Sequence, residues 1–152
     1  MYEIFNDENK LIFQVKRFVS YYGLYNQLIT KKSFIKDSGA NFFICEDLSI
    51  LLMNNLSFLF DENKPQSFSN IRFEKYKLEE LRIEILKDWT PIKEQINKIT
   101  ENIGLLKYET HENLRDAYHI LRRLDNRAFE LMDKIKEFST SYYTISYSYE
   151  EF

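Results

Sequence analysis

The chain has 152 residues, of which 44% are hydrophobic and 30% charged, with a formal net charge of −3. That length fits one domain, and folding buries roughly 70% of the unfolded surface, so a core needs no disulfide or metal staple. The balance excludes a disordered chain, and a sequence pI of about 5.5 argues against general attraction to nucleic acid, leaving only a local basic patch.

"MYEIFNDENK" is acidic and polar and does not read as a signal peptide. Beyond it, Leu11, Val15, Phe18, Tyr22, Tyr25 and Ile29 recur in steps of four and three, one face of an amphipathic helix capped by Asn6 or Asp7. Gly23 lies inside that pattern. "KKSFIKDSGA" reads as a connection, with Ser38 or Gly39 before a second helix from about Asn41 to Phe60. This helix is apolar on nearly every side, which predicts a central, buried position and a contribution to an oligomer interface. Glu46 and Asp47 are expected at capping or exposed positions near its start, the alternative being that one of them hydrogen-bonds in the core. Cys45, the only cysteine, excludes an intramolecular disulfide or a Cys-based zinc site, and its apolar neighbours "NFFICEDL" make it a core residue rather than a nucleophile. The run "ILLMNNLSFLF" is too short for a membrane span, so the expected location is the cytoplasm.

"DENKPQSFSN" (61–70), with Pro65, marks a loop. A third helix is expected over about Glu74 to Trp89, with Leu78, Leu81, Ile85 and Trp89 on one face. Thr90 then suits an N-cap and Pro91 the first helical position, so Ile92, Ile96, Ile99, Ile103 and Leu106 form a new helix or a kinked continuation. Leu114, Ala117, Leu121, Leu124, Ala128, Leu131, Ile135 and Phe138 complete a heptad-patterned last helix. The Tyr- and Ser-rich residues 139–152 read as a C-terminal tail or short strand after a single domain over 1–138. The fold expected is all-α, a four- to five-helix bundle of mostly antiparallel helices.

"THENLRDAYH" (110–119) holds both histidines and Arg115. On a helix His111 and His119 stand about 12 Å apart along the axis, too far to share a zinc ion at about 2.0 Å. No metal site and no cofactor signature are expected. Arg115 and His119 are four apart and can meet on one face, a pair suited to metal-free phosphodiester cleavage: histidine moves protons and arginine stabilises phosphate charge. The competing reading is a solvated face, because the heptad frame puts Arg115 and His119 away from its seam. Arg115, Arg122, Arg123 and Arg127 form the one local basic cluster, offset by nearby carboxylates.

The order of features resembles the abortive-infection-associated branch of the HEPN superfamily (higher eukaryotes and prokaryotes nucleotide-binding). The matching phrases are an apolar helix ending in "LSFLFDENKPQS" (Leu56, Leu59, Phe60, Asp61), a helical hairpin "KLEELRIEIL…PIKEQINKI", and a final helix carrying "LMDKIKEF". The resemblance covers about residues 10–140. It implies a homodimeric bundle with a metal-independent RNase activity in phage defence or a toxin–antitoxin pair. RNA or a nucleotide, and an antitoxin or other protein, are the partners implied. The family motif is Arg, a polar residue, three to five others and His. "RDAYH" offers Arg115, Asp116 and His119 with one intervening residue too few, and "LLKYETH" offers His111 without an arginine before it. Either Arg115 works with His111 or His119 in a variant site, or the fold is a non-catalytic oligomerisation or protein-binding module.

Overall fold

The structure, a computed structural model, describes residues 6–30, 38–106, 121 and 124–148. Among them are four helices and no strand: α1 (Asp7–Thr30), α2 (Ser38–Leu59), α3 (Tyr76–Leu106) and α4 (Asn126–Ser148). The all-α bundle expected from the sequence is the fold observed. No helix of the described residues is long and apolar enough to cross a membrane.

Asn6 starts α1: its side-chain oxygen accepts a hydrogen bond from the Asn9 backbone N–H at 2.8 Å, satisfying a donor the first turn leaves open. The expected stripe is buried at Leu11, Val15, Phe18, Tyr22 and Tyr25. In the last turn Leu28 takes the core position and Ile29 is only half-buried against it.

Each helix packs on its two neighbours in a ring, α1 on α2, α2 on α3, α3 on α4 and α4 on α1. Tyr22 of α1 donates to Asp133 of α4 at 3.2 Å, while Lys16 lies over the Tyr143 ring, 5.7 Å from its centroid. Moving forward along α1 thus means moving backward along α4, and the pair is antiparallel. Lys134 of α4 pairs with Asp88 of α3, and Phe73, just before α3, packs edge-on to Tyr142. That pair is antiparallel as well.

Three expectations about element limits need correction. The first concerns Thr90 and Pro91, where of the two readings, a new helix or a continuation, the structure has the continuation: α3 runs across them for 31 residues. A proline inside a helix leaves the carbonyl four residues back without its donor. Here that carbonyl belongs to Lys87, and Lys87, Thr90 and Pro91 are all exposed, so water can serve it. Thr90 donates its hydroxyl backward to the Leu86 carbonyl at 3.1 Å instead of capping forward. The second is the start of the last helix at Asn126 rather than Leu114. Asp125 caps it, accepting from the Ala128 N–H at 3.2 Å. The heptad positions Leu121, Leu124, Ala128, Leu131, Ile135 and Phe138 are nonetheless all buried. The third is the stretch after Phe138, which is neither strand nor loose chain as far as Ser148 but continues α4.

The burial of α2 also differs from expectation. Cys45, Leu48, Leu52, Met53, Leu56 and Leu59 are buried, but Phe43, Ile44 and Leu51 are exposed on its outer side. Glu46 is the reverse case, only 1% exposed instead of solvated. It lies more than two turns inside a helix that begins at Ser38, beyond any capping position.

Gly23 sits within α1 with nothing within 4 Å of where a Cβ would stand. Glycine in a helix interior costs roughly 0.5–1 kcal/mol against alanine. Gly23→Ala is expected to raise the melting temperature by about 1–4 °C, a shift calorimetry measures directly.

Candidate functional site

His111, Arg115 and His119 lie outside the described residues, as do Arg122 and Arg123. The heptad frame that turned Arg115 and His119 outward assumed an unbroken helix from Leu114. The non-helical residues Leu124 and Asp125 interrupt that helix just before α4, and the separation of the two histidines falls outside the described residues. Of the arginine cluster, Arg127 is described. It donates to the capping Asp125 carboxylate at 2.9 and 3.2 Å, which holds that carboxyl below its ordinary pKa.

The most developed polar centre of the described fold is one the sequence reading missed. The buried stripe of α3 is Leu78, Arg82, Ile85, Trp89, Ile92 and Ile96, in steps of four and three. An arginine thus occupies a core slot. Its Nε and Nη2 donate to Glu79 Oε1 and Oε2 at 2.6 and 2.7 Å, a bidentate pair, and its Nη1 donates to the Phe68 carbonyl at 2.8 Å. Glu79 Oε1 also accepts from the Phe73 N–H at 3.0 Å. The Arg82 hydrogen bonds, helped by the Phe73 N–H, hold the Glu79 carboxyl below the usual range against the opposing effect of burial. The signal available in sequence was "LEELR", a Glu and an Arg three apart with the Arg in phase with the apolar stripe.

This clamp fixes the connection between α2 and α3. Phe68 donates its N–H to the Leu59 carbonyl at 2.8 Å, and Asn70 donates to the carbonyls of Glu62 and Lys64 at 2.9 and 2.7 Å. Phe60 stacks on Trp89 at 4.2 Å between centroids, and the Phe68 and Phe73 rings meet Phe138 at 5.2 and 5.3 Å. Leu56, Leu59 and Phe60 of the phrase "LSFLFD" are core residues. Asp61 starts the turn, accepting from the Asn63 N–H at 2.9 Å.

Above the stacked Phe60–Trp89 pair the connection leaves an open cleft of about 330 Å³ against α3, lined by Ser57, Asp61, Glu62 and Asn63 on one side and Lys93 and Asn97 on the other. Lys93 faces Glu62 at 3.6 Å across exposed surface. The lining offers hydrogen-bonding groups and one cation against two carboxylates. Among the described residues no group of three or more His, Cys, Asp or Glu is placed to hold a metal ion.

No family model, curated protein or solved structure matches this chain. Its candidate surfaces are therefore judged on their own geometry.

Two of them lie on α2. Phe43, Ile44 and Leu51 are 55%, 36% and 38% exposed, with Asp47 between them and Asn54 beyond Leu51 on the same outer face. On the inner side, Glu46 carries a buried Oε2 with no hydrogen-bond partner. Burial, and secondarily the charge of Asp47, push the Glu46 carboxyl above its ordinary pKa.

The two carboxyls give opposite pH effects. The lowered Glu79 contributes stability that is present above about pH 4.5 and is lost as the pH falls through its folded pKa. Arg82→Ala is expected to cost about 3–5 kcal/mol in urea unfolding, because it leaves Glu79 charged and the Phe68 carbonyl unpaired. The double change Glu79→Leu with Arg82→Leu does not restore stability, since the Phe68 carbonyl and Phe73 N–H both stay orphaned. The raised Glu46 costs stability as the pH rises above its unfolded value. Glu46→Met is therefore expected to stabilise at pH 7 by more than at pH 4, again read by urea unfolding.

Proposed function

We propose that this chain works as a self-associating helical bundle with an RNA- or nucleotide-related role of the kind the HEPN resemblance implies. The observation that carries the reading is the apolar outer face of α2. A helix of a solitary bundle turns polar residues to water, whereas α2 turns Phe43, Ile44 and Leu51 outward and has no basic residue in its 22. Covering that face returns the hydration cost of leaving it bare. A second copy is the partner the resemblance implies.

The RNA-directed half of the proposal rests on the resemblance and on Arg115, His119 and His111. In it Arg115 stabilises the phosphate, and His119 or His111 moves the proton between the attacking hydroxyl and the leaving oxygen. The α2 face equally favours a non-catalytic reading, in which the bundle holds an antitoxin or other protein and cleaves nothing.

Sedimentation across a range of concentrations, combined with an RNA panel incubated in EDTA, separates these readings. The lead reading expects concentration-dependent association of the wild type, weakened by Leu51→Lys, and RNA cleavage abolished by Arg115→Ala and by His119→Ala. Association with every RNA left intact supports the non-catalytic module. A wild type that stays monomeric throughout removes the self-association half.

A further inference from the structure

The first helix departs from the acidic balance of the chain. After Asp7 and Glu8 in its first turn, α1 has no carboxylate as far as Thr30, while Lys10, Lys16 and Arg17 are all exposed. Phe13 stands among these cations, 62% exposed. Residues three and four positions apart are neighbours on a helix surface. For Phe13 those neighbours are Asn9, Lys10, Lys16 and Arg17, three cations and an amide. The other exposed aromatic rings of the described residues have carboxylates at that spacing, Glu79 and Glu80 beside Tyr76, Glu46 and Asp47 beside Phe43.

The three charges stay unneutralised. Among the described residues none of them pairs with a carboxylate. Rings hold two of them instead. Lys16 lies over Tyr143 of α4 and the Arg17 guanidinium over Tyr21, each 5.7 Å from the centroid, and Arg17 Nε donates to the Tyr21 hydroxyl at 3.4 Å. Such contacts orient a cation without cancelling its charge. Glu8, the carboxylate nearest to Phe13 in sequence, stands about 140° around the helix from it and is half-buried where it feels the charge of Glu74. Tyr22, which meets Asp133 of α4, is on the opposite side of α1 from Phe13.

We propose that this face of α1 binds single-stranded nucleic acid without sequence preference, an unpaired base stacking on Phe13 and phosphates lying against Lys10, Lys16 and Arg17. Stacking on an aromatic ring accepts any base, and cations beside it draw the backbone. Lys10 and Arg17 are about 10 Å apart along the helix, with Phe13 between them. The inference goes beyond the proposed function, because it uses neither Arg115 nor the histidines and requires neither cleavage nor self-association. A duplex is a poor fit, since its base faces are covered in its own stack and leave Phe13 without a partner. An anionic membrane is the other polyanion a cationic face can meet. Lipid-binding basic segments carry about four to eight cations, and amphipathic ones sink a broad apolar face into the bilayer. The broad apolar face of α1 is committed to the bundle core, and its outer side keeps only Phe13 and Leu24.

Fluorescence anisotropy of the full chain with a labelled oligouridine of about 12 nucleotides, in EDTA, tests the face. Binding is expected to weaken with salt at a log–log slope near −2, about 0.7 for each of the three cations. Phe13→Ala is expected to weaken binding about tenfold with that slope kept, and Arg17→Gln to make the slope shallower by about 0.7. Lys10→Gln, Lys16→Gln and Arg17→Gln together are expected to abolish binding. These side chains are exposed, so each variant is expected to melt with the wild type by circular dichroism. A wild type that binds no oligouridine at low salt overturns the inference, as does binding that the triple change leaves intact. Equal affinity for a duplex of the same length overturns it too, and so does a chain that binds phosphatidylserine vesicles and no oligonucleotide. RNA that is bound through Phe13 and the three cations but never cleaved removes the ribonuclease reading and leaves this inference standing. Cleavage by a chain whose RNA binding ignores those residues does the reverse.

Discussion

The arrangement of this bundle depends on one guanidinium in a core slot. Taking Arg82 out of water costs several kcal/mol, and a buried ion pair by itself repays that poorly. The pair here does more than neutralise charge, because two of the four contacts around it are to main chain. Arg82 holds the Phe68 carbonyl and its partner Glu79 holds the Phe73 N–H, so one α3 turn fixes two points of the connection from α2. Both backbone groups would be unsatisfied beside an apolar substitute. The clamp is therefore a device for placing chain, and its stabilisation comes through what the placed chain then buries.

What it buries is the aromatic end of the core. With Phe68 and Phe73 held in position, their rings close over Phe138, and Phe60 is stacked on Trp89. Tyr142 packs on Phe73, and Tyr143 receives Lys16 from α1. These contacts explain why α4 continues to Ser148. Serines, threonines and tyrosines beyond Phe138 have modest helix preference, and tertiary packing on Phe73 and α1 supplies what propensity does not. The cleft between Asp61–Asn63 and Lys93 follows from the same placement, since the clamp and the Asn70 hydrogen bonds fix the connection opposite α3.

Where spacing alone determined burial, the sequence was readable. The α1 stripe and the last heptads are buried as their periodicity requires, even though the helix that carries the heptads starts twelve residues later than expected. Apolar spacing records which residues face inward, and it is blind to a capped break such as the one at Asp125. Pro91 left two readings open for a related reason. The same Thr-Pro pair can open a helix or sit exposed within one, and the exposed position of Lys87 permits the second here. Arg82 was missed because pattern reading seeks apolar residues in core slots and passes over a cation in phase with them. For the proposed chemistry, Arg115 and the two histidines were visible as residue types, but their geometry belongs to residues outside those described.

The second helix marks the limit of pattern reading, and the reason is physical. Its residues are so uniformly apolar that no periodicity separates an inner from an outer side, so which side is buried is decided by α1 and α3. The two adjacent carboxylates register the outcome. Glu46 and Asp47 are one residue apart, about 100° around the helix, and the packing buries the first and leaves the second in water. The inner face thus holds an unpartnered carboxyl oxygen while Ile44 and Leu51 stay partly exposed on the outer one, an outcome set by the neighbouring helices and not by the helix's own pattern.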